Sequence, residues 1–183
     1  MEELWTRNVL NILISPLRTW EWVVSTYIYG FLKTVFISAF LMVLAWWLYA
    51  LDISMLGIYL VPFFVNLLIM GWAMGLFTSG LLMRWGHSAE ALVWGVPFLI
   101  QPFSAIFYPL SVYPWWLKPF CLILPSTYVM EGMRTVVMQG VFLKSYFFAA
   151  LGLNLLYLAA FSFFYGAMLE RGRRTGGLVR LAS

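Results

Sequence analysis

The sequence has little charge, one histidine and one cysteine. Only 10% of its 183 residues are Asp, Glu, Lys or Arg, which is less than half of the roughly 25% in a typical globular domain, and 63% are hydrophobic. This balance excludes a soluble enzyme, a disordered tail and a nucleic-acid-binding module. With Cys121 as the single cysteine and His87 as the single histidine, an intrachain disulfide and a cysteine-based metal site are excluded, and a zinc site is disfavoured.

Several chemical signatures are also missing. No segment matches the glycine-rich phosphate loop that ends in Gly-Lys-Ser or Gly-Lys-Thr, so we expect no ATP, magnesium or other cofactor on this chain. The seven acidic residues fall at span ends or between spans, whereas intramembrane proton relays need buried carboxylates. An intramembrane enzyme is the least favoured class because paired acid, base and nucleophile groups are lacking.

Long charge-free runs dominate what is present. They cover residues 34–51, 53–83, 91–117 and 145–169, and each is close to or above the roughly 18–20 apolar residues that cross a bilayer core. The sequence therefore predicts an all-α polytopic membrane protein. The four predicted spans are 24–50, 57–83, 90–110 and 145–168.

Small residues recur at every fourth position of the second predicted span, at Gly71, Gly75 and Ser79. Such a stripe lets another helix approach closely. We expect tight helix packing there, within the chain or between chains, and a groove that contacts substrate is the alternative.

The third predicted span contains Pro97, Pro102 and Pro109. Proline removes a backbone donor and clashes with the preceding turn, so this span should be kinked or broken. Freed backbone groups are tolerated at membrane depth only when protein or a water-filled cavity covers them. The region is therefore expected to be buried against neighbours or to line a pore.

Residues 111–143 do not form a clean span because prolines and charges interrupt them. We predict two short interfacial or re-entrant helices, at about 115–123 and 126–139, with Ser126 as the N-cap of the second. Polar residues inside the predicted spans are expected to form interhelical hydrogen bonds. They are Asn66, Gln101 and Asn154.

Lysine and arginine counts predict the orientation. Seven arginines lie on one side of the predicted spans and three basic residues on the other, with Lys33 set aside as intramembrane. Because basic loops stay in the cytoplasm, both termini and the His87 loop should be cytoplasmic, and residues 111–143 should face outward. Residues 169–183 are the predicted cytoplasmic tail.

Three strings of the later half resemble a known family. They are Ser104-Ala-Ile-Phe-Tyr-Pro109, Pro114-Trp-Trp-Leu117 and Leu124-Pro-Ser-Thr-Tyr-Val-Met-Glu-Gly-Met-Arg134. Permease subunits of ABC-2 type transporters carry a similar pattern. The N-terminal Leu10-Asn-Ile-Leu-Ile-Ser-Pro16 also resembles the cytoplasmic coupling segment of that family.

The resemblance implies an ABC exporter subunit in a bacterial or archaeal plasma membrane. It would pair with a second permease subunit in a homo- or heterodimer and sit on separate ATPase subunits that bind ATP and magnesium. The coupling segment, residues 5–21, would press into a groove on the ATPase. Its expected contact residues are Asn8, Leu10, Asn11, Leu13, Ile14, Arg18 and Glu21.

The resemblance also implies that residues 111–143 contain an outward-facing re-entrant hairpin. Its expected structural or gating residues are Pro125, Tyr128, Glu131, Gly132 and Arg134. Glu131 and Arg134 are three residues apart, so they share a helix face and are expected to form an ion pair.

The span count departs from the family pattern. ABC-2 permeases have six spans, two of them before the coupling segment, whereas four are predicted in this sequence. A fragment of a longer chain and a shortened subunit both stay open. A non-transporting membrane scaffold or assembly subunit is the alternative function.

Overall fold

The computed structural model describes residues 19–49 and 57–175, and within them every regular element is a helix. The long helices are α1 (Thr19–Tyr49), α2 (Leu60–Trp85) and α6 (Lys144–Thr175). Three shorter α-helices lie between α2 and α6: α3 (Glu90–Ile100), α4 (Lys118–Leu122) and α5 (Pro125–Gln139). Short 3₁₀ helices occur at Gly86–Ala89, Gln101–Phe103 and Leu110–Val112.

Three helices are long and apolar enough to cross a membrane. Their candidate spans are Tyr27–Leu48, Gly57–Trp85 and Lys144–Arg171. These spans overlap three of the predicted charge-free runs, so the described part of the chain is all-helical and has the character of a membrane protein. α6 continues to Thr175, so the first residues of the predicted cytoplasmic tail, 169–183, extend the same helix.

The helices fall into two units. One unit holds α1, and the other contains the chain from Ile58 onward. α1 begins at Thr19, so its first turn includes the last part of the predicted coupling segment. The other predicted coupling residues, from Asn8 to Arg18, lie outside the described residues.

The third charge-free run does not form a long helix. α3 has 11 residues and continues through Pro97, after which a 3₁₀ turn ends at Phe103. At about 1.5 Å per residue, α3 spans only about 16 Å, so the predicted span 90–110 is broken, as its prolines indicate, and is not one continuous helix. The break follows from Pro102 and Pro109, which cannot donate to helical carbonyls.

α2 and α6 form the centre of the second unit and run parallel. Phe77 on α2 packs against Phe161 and Phe164 on α6, with ring centroids 4.8 and 5.8 Å apart. Towards the start of α2, Tyr59 stacks at 5.0 Å on Phe142, just before α6. Residues further along α2 therefore meet residues further along α6.

A glycine on α2 allows close contact between these helices. A Cβ at Gly80 would lie 2.7 Å from the ring of Phe164. No atom lies within 4 Å of a Cβ built at Gly71 or Gly75, so the tight packing on α2 occurs at Gly80, one residue after the end of the predicted stripe. Packing of that stripe against another chain stays a prediction.

A buried amide pair joins α2 and α6. The Asn154 side-chain amide donates to Asn66 O at 2.9 Å and to Asn66 Oδ1 at 3.0 Å, and both residues are fully buried. The predicted interhelical hydrogen bond is confirmed for these two residues. Gln101 lies exposed on the 3₁₀ turn after α3, and the described structure gives its side chain no such bond.

Candidate functional site: the polar cluster of residues 100–134

The chain between α3 and α5 is largely irregular, and side chains form hydrogen bonds with its backbone groups and with each other. The groups involved lie on Ser104, Tyr113, Ser126, Thr127, Glu131 and Arg134. We call these six residues the polar cluster. Because backbone carbonyls need partners when water is excluded, the cluster is what makes an irregular path possible in this part of the fold.

Hydroxyl groups of the polar cluster connect the end of α3 to the start of α5. Ser104 Oγ donates to Ile100 O at 2.9 Å, and Ser126 Oγ donates to Ser104 Oγ at 2.9 Å. Thr127 Oγ1 lies 3.2 Å from Phe103 O and 2.7 Å from Cys121 O. One threonine on α5 therefore contacts both the segment after α3 and the last turn of α4.

The predicted N-cap at Ser126 is wrong. α5 begins at Pro125, and Leu124, with extended backbone, occupies the N-cap position. Proline suits the first helical position because its missing N–H is not needed there. Ser126 is thus inside the first turn, where its hydroxyl is free to bond Ser104 across the segment.

Tyr113 links the segment before α4 back to the segment just after α3. Its hydroxyl donates to Pro102 O at 2.6 Å. Burial is the main reason that the pKa of the Tyr113 phenol is raised above its usual value, and the neighbouring Cys121 adds to the rise. The phenol is therefore neutral at physiological pH and keeps the proton that it donates.

The predicted ion pair on α5 is present and binds a distant loop. Arg134 Nη1 lies 2.6 Å from Glu131 Oε1. The same carboxylate oxygen accepts the Leu110 amide at 2.7 Å, and Arg134 Nη2 donates to Ala105 O at 3.1 Å. One charged pair thus holds the chain on both sides of residues 106–109.

The loop bound by this ion pair has an unusual backbone conformation. Ala105 has a φ of 52° and is fully buried. Positive φ disfavours residues with a Cβ, and such conformations persist only when surrounding contacts enforce them. The Arg134 bond to the Ala105 carbonyl is one such contact.

α5 packs tightly on the α2–α6 pair through Gly132. A Cβ at this position would lie 2.7 Å from the Phe63 ring and 3.4 Å from the side chain of Tyr146. Phe63 is itself fully buried. Gly132 therefore sets the close approach of α5 to both long helices.

The remaining predicted hairpin residues lie on the same helix. Pro125 is buried at the start of α5, and the Tyr128 ring lies 6.4 Å from the Tyr146 ring. The structure thus collects all five predicted hairpin residues on α5, between the long helices and the irregular segment.

Sequence reasoning missed the residues that complete the site. Ser104, Tyr113, Thr127 and Tyr157 all donate side-chain hydroxyls to main-chain carbonyls. Their usable signal was the presence of hydroxyl side chains in and near a proline-interrupted apolar run. Ser104 bonds a carbonyl four residues back, but the partners of the other three lie six to 34 residues away, so no local pattern identifies those three.

The chemistry of this site is that of a hydrogen-bonded scaffold. Its charges neutralise each other, and its hydroxyls bond carbonyls or each other. Within residues 19–49 and 57–175, no group of three or more His, Cys, Asp or Glu side chains could hold a metal ion. The arrangement suits a positioning or conformational role.

Comparison of the chain with family models, curated proteins and solved structures found no match.

Proposed function

We propose that this chain is a membrane-spanning permease subunit of an ATP-driven ABC exporter. The proposal is based on the segment from Ser104 to Arg134, where the family-like sequence and the hydrogen bonds of the structure coincide. The strings that resemble ABC-2 permeases meet in one hydrogen-bonded unit, packed on two apolar helices of spanning length. A scaffold that needed only anchoring would not require such an interrupted, internally bonded segment.

The parallel arrangement of α2 and α6 supports a fourth, interrupted crossing. α2 has 26 residues and is thus about 39 Å long at about 1.5 Å per residue. The chain leaves α2 at Trp85 and enters α6 at Lys144, near the start of α2. Residues 86–143 must therefore run back along the full length of α2. α3 and the segment after it form the first part of this return.

Two contacts support a re-entrant hairpin formed by α4 and α5. The Tyr157 hydroxyl, 13 residues into α6 after Lys144, binds Ile123 O at 3.0 Å, so residue 123 lies roughly 20 Å along that helix. Gly132 lies against Phe63 and Tyr146, which are close to the starts of α2 and α6. α5 thus rises from mid-depth towards the end of the bundle where α6 begins.

In the proposed orientation, both termini are cytoplasmic and the hairpin opens to the outside of a bacterial or archaeal plasma membrane. Residues 5–21 contact a separate ATPase subunit, which binds ATP and magnesium. ATP binding biases a two-state membrane bundle, and a second permease subunit, identical or different, completes the translocation path. Glu131 and Arg134 then hold the hairpin in one of the two states.

The test is affinity purification of the tagged chain from detergent-solubilised native membranes, with mass spectrometry and an ATPase assay. Leu10→Asp and Leu13→Asp place a charge in the proposed coupling segment. Leu181→Asp, in the proposed cytoplasmic tail, is the matched control. We expect an ATPase with the parent chain and the control, and at least a tenfold loss with the two coupling variants.

Failure to recover an ATPase would distinguish the alternative function from the exporter. If no ATPase is recovered, the purification is repeated with the coding region extended upstream. Continued absence, with another membrane protein recovered instead, would refute the exporter and favour the non-transporting scaffold or assembly subunit.

A further inference from the structure

We propose that the Tyr157 hydroxyl holds the tip of the α4–α5 hairpin at mid-depth, so that the tip follows α6. The hydroxyl lies 3.0 Å from the carbonyl oxygen of Ile123, which is 34 residues away in sequence. Ile123 stands directly after α4, and α5 begins two residues later. The bond therefore joins the turn between α4 and α5 to the middle of a spanning helix.

The Ile123 carbonyl needs this donor because of the turn that follows it. Leu124 is extended, with ψ 125°, and the Thr127 amide donates to Leu124 O at 3.2 Å. The helical bonding of α5 thus starts after Ile123. This residue is 53% exposed, and hydrocarbon offers an exposed carbonyl no hydrogen bond.

Aromatic contacts fix the position of the donor. The Tyr157 ring stacks on Phe161 at 5.5 Å with 7° between the planes, and Phe161 packs at 4.8 Å on Phe77 of α2. A displacement of α6 against α2 therefore moves the hydroxyl, and the hydroxyl moves the tip. The inference rests on the membrane placement proposed above, and it does not depend on an ATPase.

Cys121 makes the test direct, since it is the single cysteine of the sequence, lies two residues before the tip and is fully buried. The protein is reconstituted in lipid vesicles and treated with a membrane-impermeant maleimide. Tyr157→Phe should speed labelling of Cys121 about tenfold, which corresponds to about 1.4 kcal/mol and lies within the cost of a buried carbonyl left without its donor. Tyr146→Phe is the matched control on α6.

Tyr146→Phe is a suitable control because the described structure gives the Tyr146 hydroxyl no hydrogen-bond partner. Its labelling rate should match that of the parent chain within twofold. Equal rates for the parent, Tyr157→Phe and Tyr146→Phe would overturn the proposal. The ATPase purification is scored separately, so failure here leaves the exporter assignment standing, and failure there leaves this bond standing.

A second pair of variants covers the case in which Tyr157→Phe does not accumulate in the membrane. Position 157 is replaced by 4-aminophenylalanine, which keeps a donor, or by 4-methylphenylalanine, which has a similar shape without one. The amino variant should restore membrane accumulation and slow Cys121 labelling, and the methyl variant should do neither. Equal behaviour of the two variants contradicts the proposal.

Discussion

Removing the charge of Arg134 should release the loop of residues 105–110 from α5. In Arg134→Met, the Glu131 carboxylate loses its cation and keeps only the Leu110 amide, while Ala105 O loses its donor. Ala105, with φ 52°, is then free to relax to an ordinary backbone conformation. The loop should leave α5 far more often than in the parent chain.

The magnitude follows from the bonds that are lost. Hydrogen bonds to charged groups contribute about 1.5–3 kcal/mol each. The Arg134 and Glu131 side chains are 22% and 16% exposed, and exposure weakens ion pairs, so we take about 2 kcal/mol for the two bonds together. At about 1.4 kcal/mol per factor of ten, the released population rises about 30-fold.

Labelling of Cys121 reports on that population, because Thr127 Oγ1 bonds both Cys121 O and Phe103 O, two residues before the loop, and a buried thiol reacts only when its surroundings open. Lys118→Met is the matched control. It removes a cation from the same segment, at a side chain with no ion-pair partner among the described residues. Glu131→Gln should give a smaller rise than Arg134→Met, since the amide oxygen still accepts a hydrogen bond from Leu110.

Labelling rates of Arg134→Met and Lys118→Met within threefold of each other, with both proteins still inserted, would show that the ion pair does not hold the loop. The same conclusion would follow if adding Glu131→Gln to Arg134→Met raised the labelling rate by the full factor seen for Glu131→Gln alone. Two side chains that act as one pair must give a double variant weaker than the product of the single effects.

Three further outcomes follow from the packing of the second unit. Asn66→Leu and Asn154→Leu should each lower the free energy of unfolding in detergent by about 0.6–1.7 kcal/mol, and the double variant should cost less than their sum; strict additivity would contradict the pairing. Gly132→Ala should cost about 1–3 kcal/mol through overpacking, whereas Gly152→Ala, with no atom within 4 Å, should be neutral or stabilising in the same denaturation assay. Because the folded pKa of Tyr113 is raised above its usual 10.0, the unfolded chain loses that proton first, so the melting temperature should fall as the pH rises above about 10, and Tyr113→Phe should remove this component.

Charge distribution was sufficient to predict the long helices. The runs 34–51, 53–83 and 145–169 contain no charged residue, and each lies largely within a helix of spanning length. The reason is that a membrane interior penalises charge and unpaired backbone groups. A single uncharged segment can pair all its backbone groups within itself only as a helix. The Glu131–Arg134 pair was predictable for a similar reason, since helical spacing brings residues three apart onto one face.

In the run 91–117, the absence of charge does not predict a long helix. This run is as long and as uncharged as the others, yet α3 ends at Ile100. Its prolines indicated a break, but the path after the break depends on partners on other elements. The Phe103 carbonyl is bound by Thr127, and the Ala105 carbonyl by Arg134.

Sequence by itself thus determined that the chain is helical, apolar and membrane-spanning, and that Glu131 and Arg134 belong together, because these properties depend on local composition and spacing. Only the tertiary structure decided that α2 and α6 run parallel, that Gly80 and Gly132 are the sites of close approach, and that Tyr157 binds the hairpin tip. These features depend on which distant groups meet, and contacts between residues 34 to 88 positions apart leave no periodic trace in the sequence.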